Sequence, residues 1–262
     1  MEQEWQENEV YCVDALDALG QLEDGIAQII IADPPYNIGK DFGNNRTKKK
    51  LHDYLEWCDE WIIQCTRILK SNGTMFIYGY SEILAHVATR VPCNYRWLVW
   101  HYTNKNVPSL KFWQRSHESI LCCWKDDRVF NRDDIREAYT ENYLKNAAGK
   151  ERKPTKGRFN RGSKPTTYTA HVGGALPRDV IKLPALAGGA GKKERVDHPT
   201  QKPLELCRRL IKSCKQEEGL LVIPFAGSGS ECVAAQEISV PFIGFEINPE
   251  YVKLCKTRLL QN

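Results

Sequence analysis

The chain has 262 residues, of which 42% are hydrophobic and 27% charged, and its formal net charge at pH 7 is +4. This composition is typical of a globular protein and excludes wholesale disorder, and the length predicts one large domain or one domain with an insertion. The sequence has no apolar run of the roughly 20 residues that a membrane span needs, and the acidic stretch 1–10 does not have the pattern of a signal peptide.

Strand and helix patterns alternate in the first half of the chain. Residues 10–32 predict a strand, a short helix and a second strand, and the apolar run Ala27–Ala32 is typical of a strand buried on both faces. Helical spacing of apolar residues predicts a helix over 51–70, which we expect to end at Asn72-Gly73 before a buried strand over 74–80. The next predicted elements are a helix over 81–91 and strands over 96–102 and 118–124.

The middle of the chain, 126–197, has no sustained period and is rich in Lys, Arg, Gly, Pro and Thr. Residues 125–202 hold 18 basic and 10 acidic residues, a net charge of +8 against +4 for the whole chain. The positive charge is therefore concentrated in this stretch, above all in Lys145–Lys164. Basic side chains in such a segment favour contact with phosphates.

Regular patterns return after residue 202. Strands that alternate with helices predict a mostly parallel α/β sheet. The predicted elements are a helix over 203–216, a strand over 220–225, a glycine-rich turn over 226–230, a helix over 231–238, a strand over 241–246 and a helix over 249–260.

The motif Asp33-Pro34-Pro35-Tyr36 directly follows the strand Ala27–Ala32. Ligands of open α/β sheets bind outside the carboxyl ends of the strands. The two prolines remove two N–H donors and leave carbonyl groups free to accept. Asp33 and the Pro34 carbonyl can accept the two hydrogens of a planar amino group while Tyr36 stacks on its ring. A plain tight turn explains the same residues.

A second candidate is the turn Phe225-Ala226-Gly227-Ser228-Gly229-Ser230, followed about 20 residues later by Glu246 at the end of a strand. Glycines in such a turn let a ligand approach the backbone, and an acid at this distance can accept from both ribose hydroxyls. A structural turn and a capping carboxylate beside Asn248-Pro249 are the alternatives.

Two further features are less specific. The stretch His198–Pro203, with sequence His-Pro-Thr-Gln-Lys-Pro, leads into a helix, where proline is conventional, so a capping role is open. The ten cysteines show no C-x-x-C pair, and no metal site is predicted. Most of the cysteines are expected to be small buried hydrophobes.

Taken together and in this order, the motifs resemble those of S-adenosylmethionine-dependent amino-DNA methyltransferases of the β group. In that family D-P-P-Y comes first, a target-recognition segment follows, and H-P-T-Q-K-P and F-x-G-S-G come last. The resemblance implies a Rossmann-like methyltransferase fold with a seven-stranded, mostly parallel sheet flanked by helices. It also implies a catalytic domain in two parts, 1–125 and 198–262, around a target-recognition insertion over 126–197.

The resemblance implies catalytic roles for Asp33, Pro34, Pro35 and Tyr36. It implies an acid near the cofactor adenine at Asp14 and a ribose acid at Glu246. The implied S-adenosylmethionine-binding residues are Asp14, Ala15, Asp33, Thr200, Gln201, Lys202, Phe225, Gly227, Ser228, Gly229 and Glu246. Trp97–His101 with His117–Trp124 resembles the hairpin beside the family's target pocket.

Double-stranded DNA is the partner that the resemblance implies, with Lys153, Lys156, Arg158, Arg161 and Lys164 as candidate contacts. Arg158 and Arg161 are candidate guanine readers, although a solvated basic loop is an equal alternative for any one of them. The resemblance also suggests a companion restriction endonuclease, a homodimer and a place in the prokaryotic cytosol or nucleoid.

The aspartate that heads the catalytic motif favours adenine N6 as the methylated group, with cytosine N4 as the alternative. An RNA or protein-amide methyltransferase and a catalytically impaired DNA-binding relative remain open. The last is suggested by Ile223-Pro224-Phe225, where the family has D-P-F and so an acid near the cofactor's methionine end. Ile223 predicts modest cofactor affinity unless another acid, such as Asp33, accepts the cofactor's ammonium.

Overall fold

The computed structural model describes residues 4–37, 49–104, 108–153 and 165–261. This part of the chain forms ten strands and seven α-helices. The strands are Glu9–Cys12 (β1), Ala27–Ala32 (β2), Leu69–Gly79 (β3), Asn94–His101 (β4), His117–Trp124 (β5), Glu151–Arg152 (β6), Thr166–Thr167 (β7), Val180–Lys182 (β8), Leu220–Ile223 (β9) and Phe242–Glu246 (β10). The helices are Ala15–Leu19 (α1), Leu51–Ile68 (α2), Ser81–Ala88 (α3), Glu141–Asn146 (α4), Leu204–Cys214 (α5), Ser230–Glu237 (α6) and Pro249–Leu259 (α7).

Eight of these strands form one mixed sheet in the order β1-β10-β9-β2-β3-β5-β4-β8. The pairs from β1 to β3 are parallel, β5 is antiparallel to both of its neighbours, and β8 is parallel to β4. The predicted α/β fold is confirmed, whereas the predicted number of seven strands is wrong. The eighth strand, β8, comes from the stretch expected to be an insertion, and three residues are too few for a strand pattern in the sequence.

The central strands are covered by helices on both faces. Every residue of β2 is buried, as expected for its continuous apolar sequence. One buried cluster includes Trp61 and Ile62 of α2, and a second includes Leu206 and Leu210 of α5. The two layers leave the carboxyl ends of β2, β9 and β10 as the edge where loops meet.

The predicted helix end at Asn72-Gly73 is wrong. Helix α2 ends at Ile68, and β3 begins at Leu69 and runs through both residues. A Cβ atom at Gly73 would lie 2.8 Å from the Leu69 side chain and 3.0 Å from the carbonyl oxygen of Gln28. The glycine thus lies in a crowded, irregular part of β3, where the pairing with β2 shifts register between Leu69 and Thr74.

The described chain divides into two compact units, residues 1–130 with 179–262 and residues 131–178. The second unit holds α4, the β6–β7 pair and a bridge between Glu137 and Ala175. Lys153 is exposed in this unit, while Lys156, Arg158, Arg161 and Lys164 lie outside the described residues. In the part of the chain that the structure describes, no helix is long and apolar enough to cross a membrane.

Candidate active site

A cleft opens at the carboxyl ends of β2, β9 and β10. Ligands of open α/β sheets bind at this edge. Most of the predicted catalytic and cofactor-binding residues line it, namely Asp14, Ala15, Asp33, Pro34, Pro35, Tyr36, Thr200, Lys202, Phe225, Gly227, Ser228 and Glu246. The fold therefore brings together motifs that are up to 232 positions apart in the sequence.

A buried ion-pair network holds Asp33, the residue that follows β2. The Lys202 Nζ atom donates to Asp33 Oδ2 over 2.6 Å and lies 3.6 Å from Glu118 Oε2. The Tyr36 hydroxyl donates to Asp33 Oδ1 over 2.6 Å and contacts Glu118 Oε2 at 3.2 Å. Both oxygens of Asp33 are thus oriented by donors, and the carboxylate is held in place where it lines the cleft.

Lys202 is 2% exposed and is the cation at the centre of this network. Its Nζ atom also lies 5.3 Å from the ring centroid of Tyr36 and 4.9 Å from that of Tyr78. Burial acts to lower the pKa of Lys202, but the Asp33 and Glu118 carboxylates outweigh it and raise the pKa above its ordinary value. The lysine is therefore a permanent positive charge in the site.

Tyr36 contributes a buried ring and a neutral hydroxyl. Burial raises the pKa of Tyr36 well above its ordinary value, and the Asp33 and Glu118 carboxylates raise it further. The ring centroid lies 5.1 Å from that of Tyr80, with the planes tilted by 60°. The phenol is consequently a hydrogen-bond donor at all physiological pH values.

Glu246 is held at the end of β10 by two backbone amides. Its carboxylate oxygens accept from the N–H of Gly227 over 2.9 Å and from the N–H of Asn248 over 2.8 Å. Burial raises the pKa of Glu246 above its ordinary value. The Ile247 N–H also acts on this carboxylate. Because a carboxylate has about four lone-pair sites, Glu246 can still accept a hydroxyl donor. The predicted pairing of a glycine-rich turn with an acid is therefore present.

Two predicted cofactor-binding residues do not line this cleft. Gly229, with φ of 74°, is the N-cap of α6, and a Cβ atom there would lie 2.2 Å from Cys255 Sγ. Gln201 accepts from the Val196 N–H and donates to the Glu194 carbonyl, each over 2.8 Å. In the structure both residues shape the surrounding loops.

A second cleft adjoins the first and shares His198 and Thr200 with it. Its walls include the aromatic residues Tyr80 and Tyr102 and the carboxylate of Glu118. Further lining comes from Trp100, Asn104, Arg195 and Gln201. Strands β4 and β5 of the predicted hairpin pair over their full lengths, from Asn94–Trp124 to His101–His117, and carry part of this wall.

Sequence reasoning missed several cleft residues, namely Glu118, Glu231, Trp57 and Tyr251. A carboxylate at the start of the otherwise apolar strand β5 is the one local signal for Glu118. His198, left open in the sequence, packs edge-on against Tyr251 with centroids 4.7 Å apart and lies against Gly227. It supports the glycine-rich turn.

Comparison with known proteins identifies a matching family and several similar DNA methyltransferases. The sequence model of the family described as N6/N4 DNA methylases matches residues 27–257. The DNA adenine methyltransferase YhdJ of Escherichia coli K12 is 32% identical over 254 residues, covering 94% of this chain and 80% of YhdJ. The type II methyltransferase M.HpaI of Haemophilus parainfluenzae is 29% identical over 255 residues, covering 95% of this chain and 73% of M.HpaI.

Solved structures agree on the fold. M1.HpyAVI in complex with SAM superposes with a TM-score of 0.62 at 22% identity, over 96% of this chain and 98% of that one. The cytosine-N4-specific PvuII DNA methyltransferase superposes with a TM-score of 0.68 at 17% identity, over 97% and 86% of the two chains.

Proposed function

The chain belongs to the family of N6/N4 DNA methylases, and from this premise we propose that it methylates the N6 amino group of adenine at a specific sequence in double-stranded DNA. The observation that carries this proposal is the convergence of Asp33-Pro34-Pro35-Tyr36, the glycine-rich turn and Glu246 on one cleft. The order of these motifs supports placement in the β group.

S-adenosylmethionine is the cofactor of this family, and it supplies an activated methyl group on a sulfonium. The residues of the cleft fit it. The carboxylate of Glu246 would accept from the ribose hydroxyls, and Phe225 and Trp57 give the cleft an aromatic wall beside Asp14 and Ala15. Glycine at 227, with φ of 50°, keeps the turn open, because a Cβ atom there would press on His198 at 3.1 Å.

The chain's own residues act on the amino group of the target base. That nitrogen is a weak nucleophile because its lone pair is delocalised into the ring, and the base must leave the stack to be reached. Asp33 and the Pro34 carbonyl would accept its two hydrogens, which favours a pyramidal nitrogen as the new N–C bond forms. Lys202 keeps the Asp33 carboxylate aimed at this position. The proton released by the methylated nitrogen passes to solvent.

The second cleft supports this proposal, since Tyr80, Tyr102 and Glu118 would receive a flipped base next to Asp33. Because Asp33 heads the motif and the relative YhdJ is named an adenine methyltransferase, adenine N6 is preferred over cytosine N4. An RNA or protein-amide substrate and a catalytically impaired relative are the competing proposals. A companion endonuclease, a homodimer and a prokaryotic cytosolic location stay predictions from the resemblance.

The test is expression in a host without DNA methylation, followed by long-read mapping of modified bases. We expect N6-methyladenine at one short sequence motif. N4-methylcytosine would replace the adenine assignment, and an unmodified genome, with cofactor binding intact in the purified protein, would favour the impaired relative.

Replacement of Tyr36 separates its ring from its hydroxyl. We expect Tyr36→Ala to cripple turnover, whereas Tyr36→Phe and Tyr36→Trp are milder because stacking on the base survives. Tyr36→Phe also removes the 2.6 Å hydrogen bond to Asp33, so a modest loss of kcat accompanies it. The measurement is methyl transfer to a duplex that contains the mapped site. Equal damage by Phe and Ala would assign the essential role to the hydroxyl.

Charge removal within Lys145–Lys164 tests the DNA-reading role of the middle segment. Neutralising Lys153, Lys156, Arg158, Arg161 and Lys164 should weaken duplex binding. The slope of log affinity against log salt should fall by roughly 1 for each DNA phosphate that no longer meets a basic side chain. Fluorescence anisotropy at several salt concentrations gives both numbers. An unchanged affinity with an unchanged slope would move the DNA interface elsewhere.

A further inference from the structure

The acid that the family carries two residues before the Phe of its glycine-rich motif is absent here, and the residue at that position is buried among apolar side chains. Ile223 is the last residue of β9 and is 0% exposed. It belongs to the buried cluster that includes Leu206 and Cys232. The cleft is lined by the next residue, Pro224, so β9 presents no carboxylate to a ligand.

A different carboxylate occupies the floor of the same cleft. Glu231 is the second residue of α6, lines the cleft together with Asp33 and Lys202, and is 3% exposed. The partner of its Oε1 atom is the neutral Cys207 thiol, which donates over 3.4 Å. An acid so deeply buried whose bonded partner is a thiol is costly to ionise unless a ligand compensates for it.

The charges around Glu231 are unbalanced. Lys202 is 2.6 Å from Asp33 and 3.6 Å from Glu118, so a single lysine faces three carboxylates when Glu231 is ionised. Lys202 is the cation that acts most strongly on Glu231. The buried Arg258 is a second cation in this region and donates to the Ser228 carbonyl and the Ser230 hydroxyl. With Asp33, Glu118 and Glu231 ionised, three negative charges face these two cations, and this excess is complementary to a cationic ligand.

We propose that Glu231 binds the α-ammonium of the methionine moiety of S-adenosylmethionine and so replaces the acid that this chain lacks at Ile223. The inference rests on the proposed function, because it names a further contact of the same cofactor. The positive charge of the ammonium would offset the cost of ionising the buried Glu231 carboxylate. The carboxylate would accept a charged hydrogen bond, which the side chain of Ile223 cannot do.

The titration of Glu231 gives this proposal an independent signature. Burial first, and then the Asp33 carboxylate, raise the pKa of Glu231 to about 7 in the free protein, while Lys202 opposes the shift. The other titratable groups around it are Tyr78, Cys207 and Cys232, whose pKa values are all raised. The nearby charged group Arg258 donates to the hydroxyl of Ser230. Near pH 6.5 Glu231 is therefore largely protonated, and ammonium binding should ionise it and release a proton.

The first experiment compares two ligands by calorimetry near pH 7.5. One is S-adenosylhomocysteine, and the other is its analogue in which hydrogen replaces the α-ammonium. We expect Glu231→Gln to weaken S-adenosylhomocysteine binding by about 10- to 100-fold, the effect of one charged hydrogen bond, and to leave binding of the analogue unchanged. The matched control is Glu237→Gln on the same helix, whose carboxylate pairs with Arg208. It should change neither affinity.

The second experiment measures the proton that ligand binding releases. At pH 6.5 the wild-type enthalpy of S-adenosylhomocysteine binding should vary with the ionisation enthalpy of the buffer, and Glu231→Gln should abolish the part that reports proton release. The unliganded variant provides a check on folding. Since the folded-state pKa of Glu231, about 7, lies above its unfolded value of roughly 4.3, the cost of burying this acid builds up between these two pH values and is constant above them. Glu231→Gln should therefore be more stable than the wild type at pH 8, and this difference should shrink as the pH falls from about 7 to about 4.

The outcomes separate the two proposals. Equal weakening of both ligands by Glu231→Gln would overturn the ammonium contact and leave Glu231 as a residue that shapes the cleft. No weakening of either would place the ammonium elsewhere. If the wild-type protein binds neither ligand, S-adenosylmethionine is not its cofactor and the proposed function fails as well.

Discussion

Asp33→Ala should lower the rate of methyl transfer by at least about 10³-fold. Loss of one preorganised hydrogen-bonding group at a reacting centre typically costs 10²–10³ in kcat, and Asp33 is in addition the charged partner of Lys202. We expect the loss in kcat, because the hydrogen bond from the target amino group to Asp33 strengthens as charge develops on the nitrogen. Single-turnover transfer of a labelled methyl group to the mapped duplex measures it.

The control for Asp33 is the isosteric Asp33→Asn, which keeps a carbonyl acceptor and the size of the side chain. We expect it to be nearly as slow as Asp33→Ala while cofactor and DNA binding stay largely intact. Calorimetry and anisotropy monitor these two affinities. If either variant retained more than a few per cent of the wild-type rate, Asp33 would not hold the amino group.

Lys202→Met should destabilise the fold by about 3–5 kcal/mol. Removing one partner of a buried ion pair leaves its counter-charges uncompensated, and here two carboxylates, Asp33 and Glu118, would be left with side chains only 15% exposed. Because the two carboxylates raise the pKa of Lys202, its stabilisation is fully present throughout the neutral range. Urea unfolding at pH 7 measures the loss.

The matched control is the same substitution at a surface pair. Lys256 lies 3.2 Å from Glu9, with side chains 50% and 46% exposed, so Lys256→Met should cost less than about 1 kcal/mol. Adding Asp33→Asn and Glu118→Gln to Lys202→Met removes the unpaired charges and should restore most of the stability. A single Lys202→Met variant as stable as Lys256→Met would contradict the buried-charge account.

The sheet, Asp33, the glycine-rich turn and Glu246 were predictable because short stretches of sequence indicate them. The all-apolar run of β2 marks a buried strand, and Asp33 follows it directly. The end of a parallel strand is where ligands bind, so the position of Asp33 followed from the pattern alone. The glycine-rich turn and Glu246 were found in the same way, from a strand, a helix and a second strand in succession.

The contacts that Glu118 and Lys202 make in the site were not predictable, since they depend on pairings between segments that are distant in the sequence. Glu118 approaches Tyr36 because β5 runs antiparallel beside β3, and no local pattern encodes that register. A lysine at a helix entry is ordinarily exposed, yet Lys202 is buried by its two carboxylate partners. Strand β8 is three residues long and exists through its pairing with β4.

The way in which β8 pairs with the sheet bears on how freely the segment before it can vary in sequence. The Val99 N–H donates to the Asp179 carbonyl over 2.8 Å, and the Leu183 N–H donates to the His101 carbonyl over 3.2 Å. Main-chain bonds of this kind tolerate any sequence other than proline at the donor. Residues 131–178 can therefore differ in sequence without changing the main-chain pairing that the chain resumes at Asp179. Under the DNA-reading role proposed for this segment, the recognised sequence can change while the cleft that holds Asp33 stays the same.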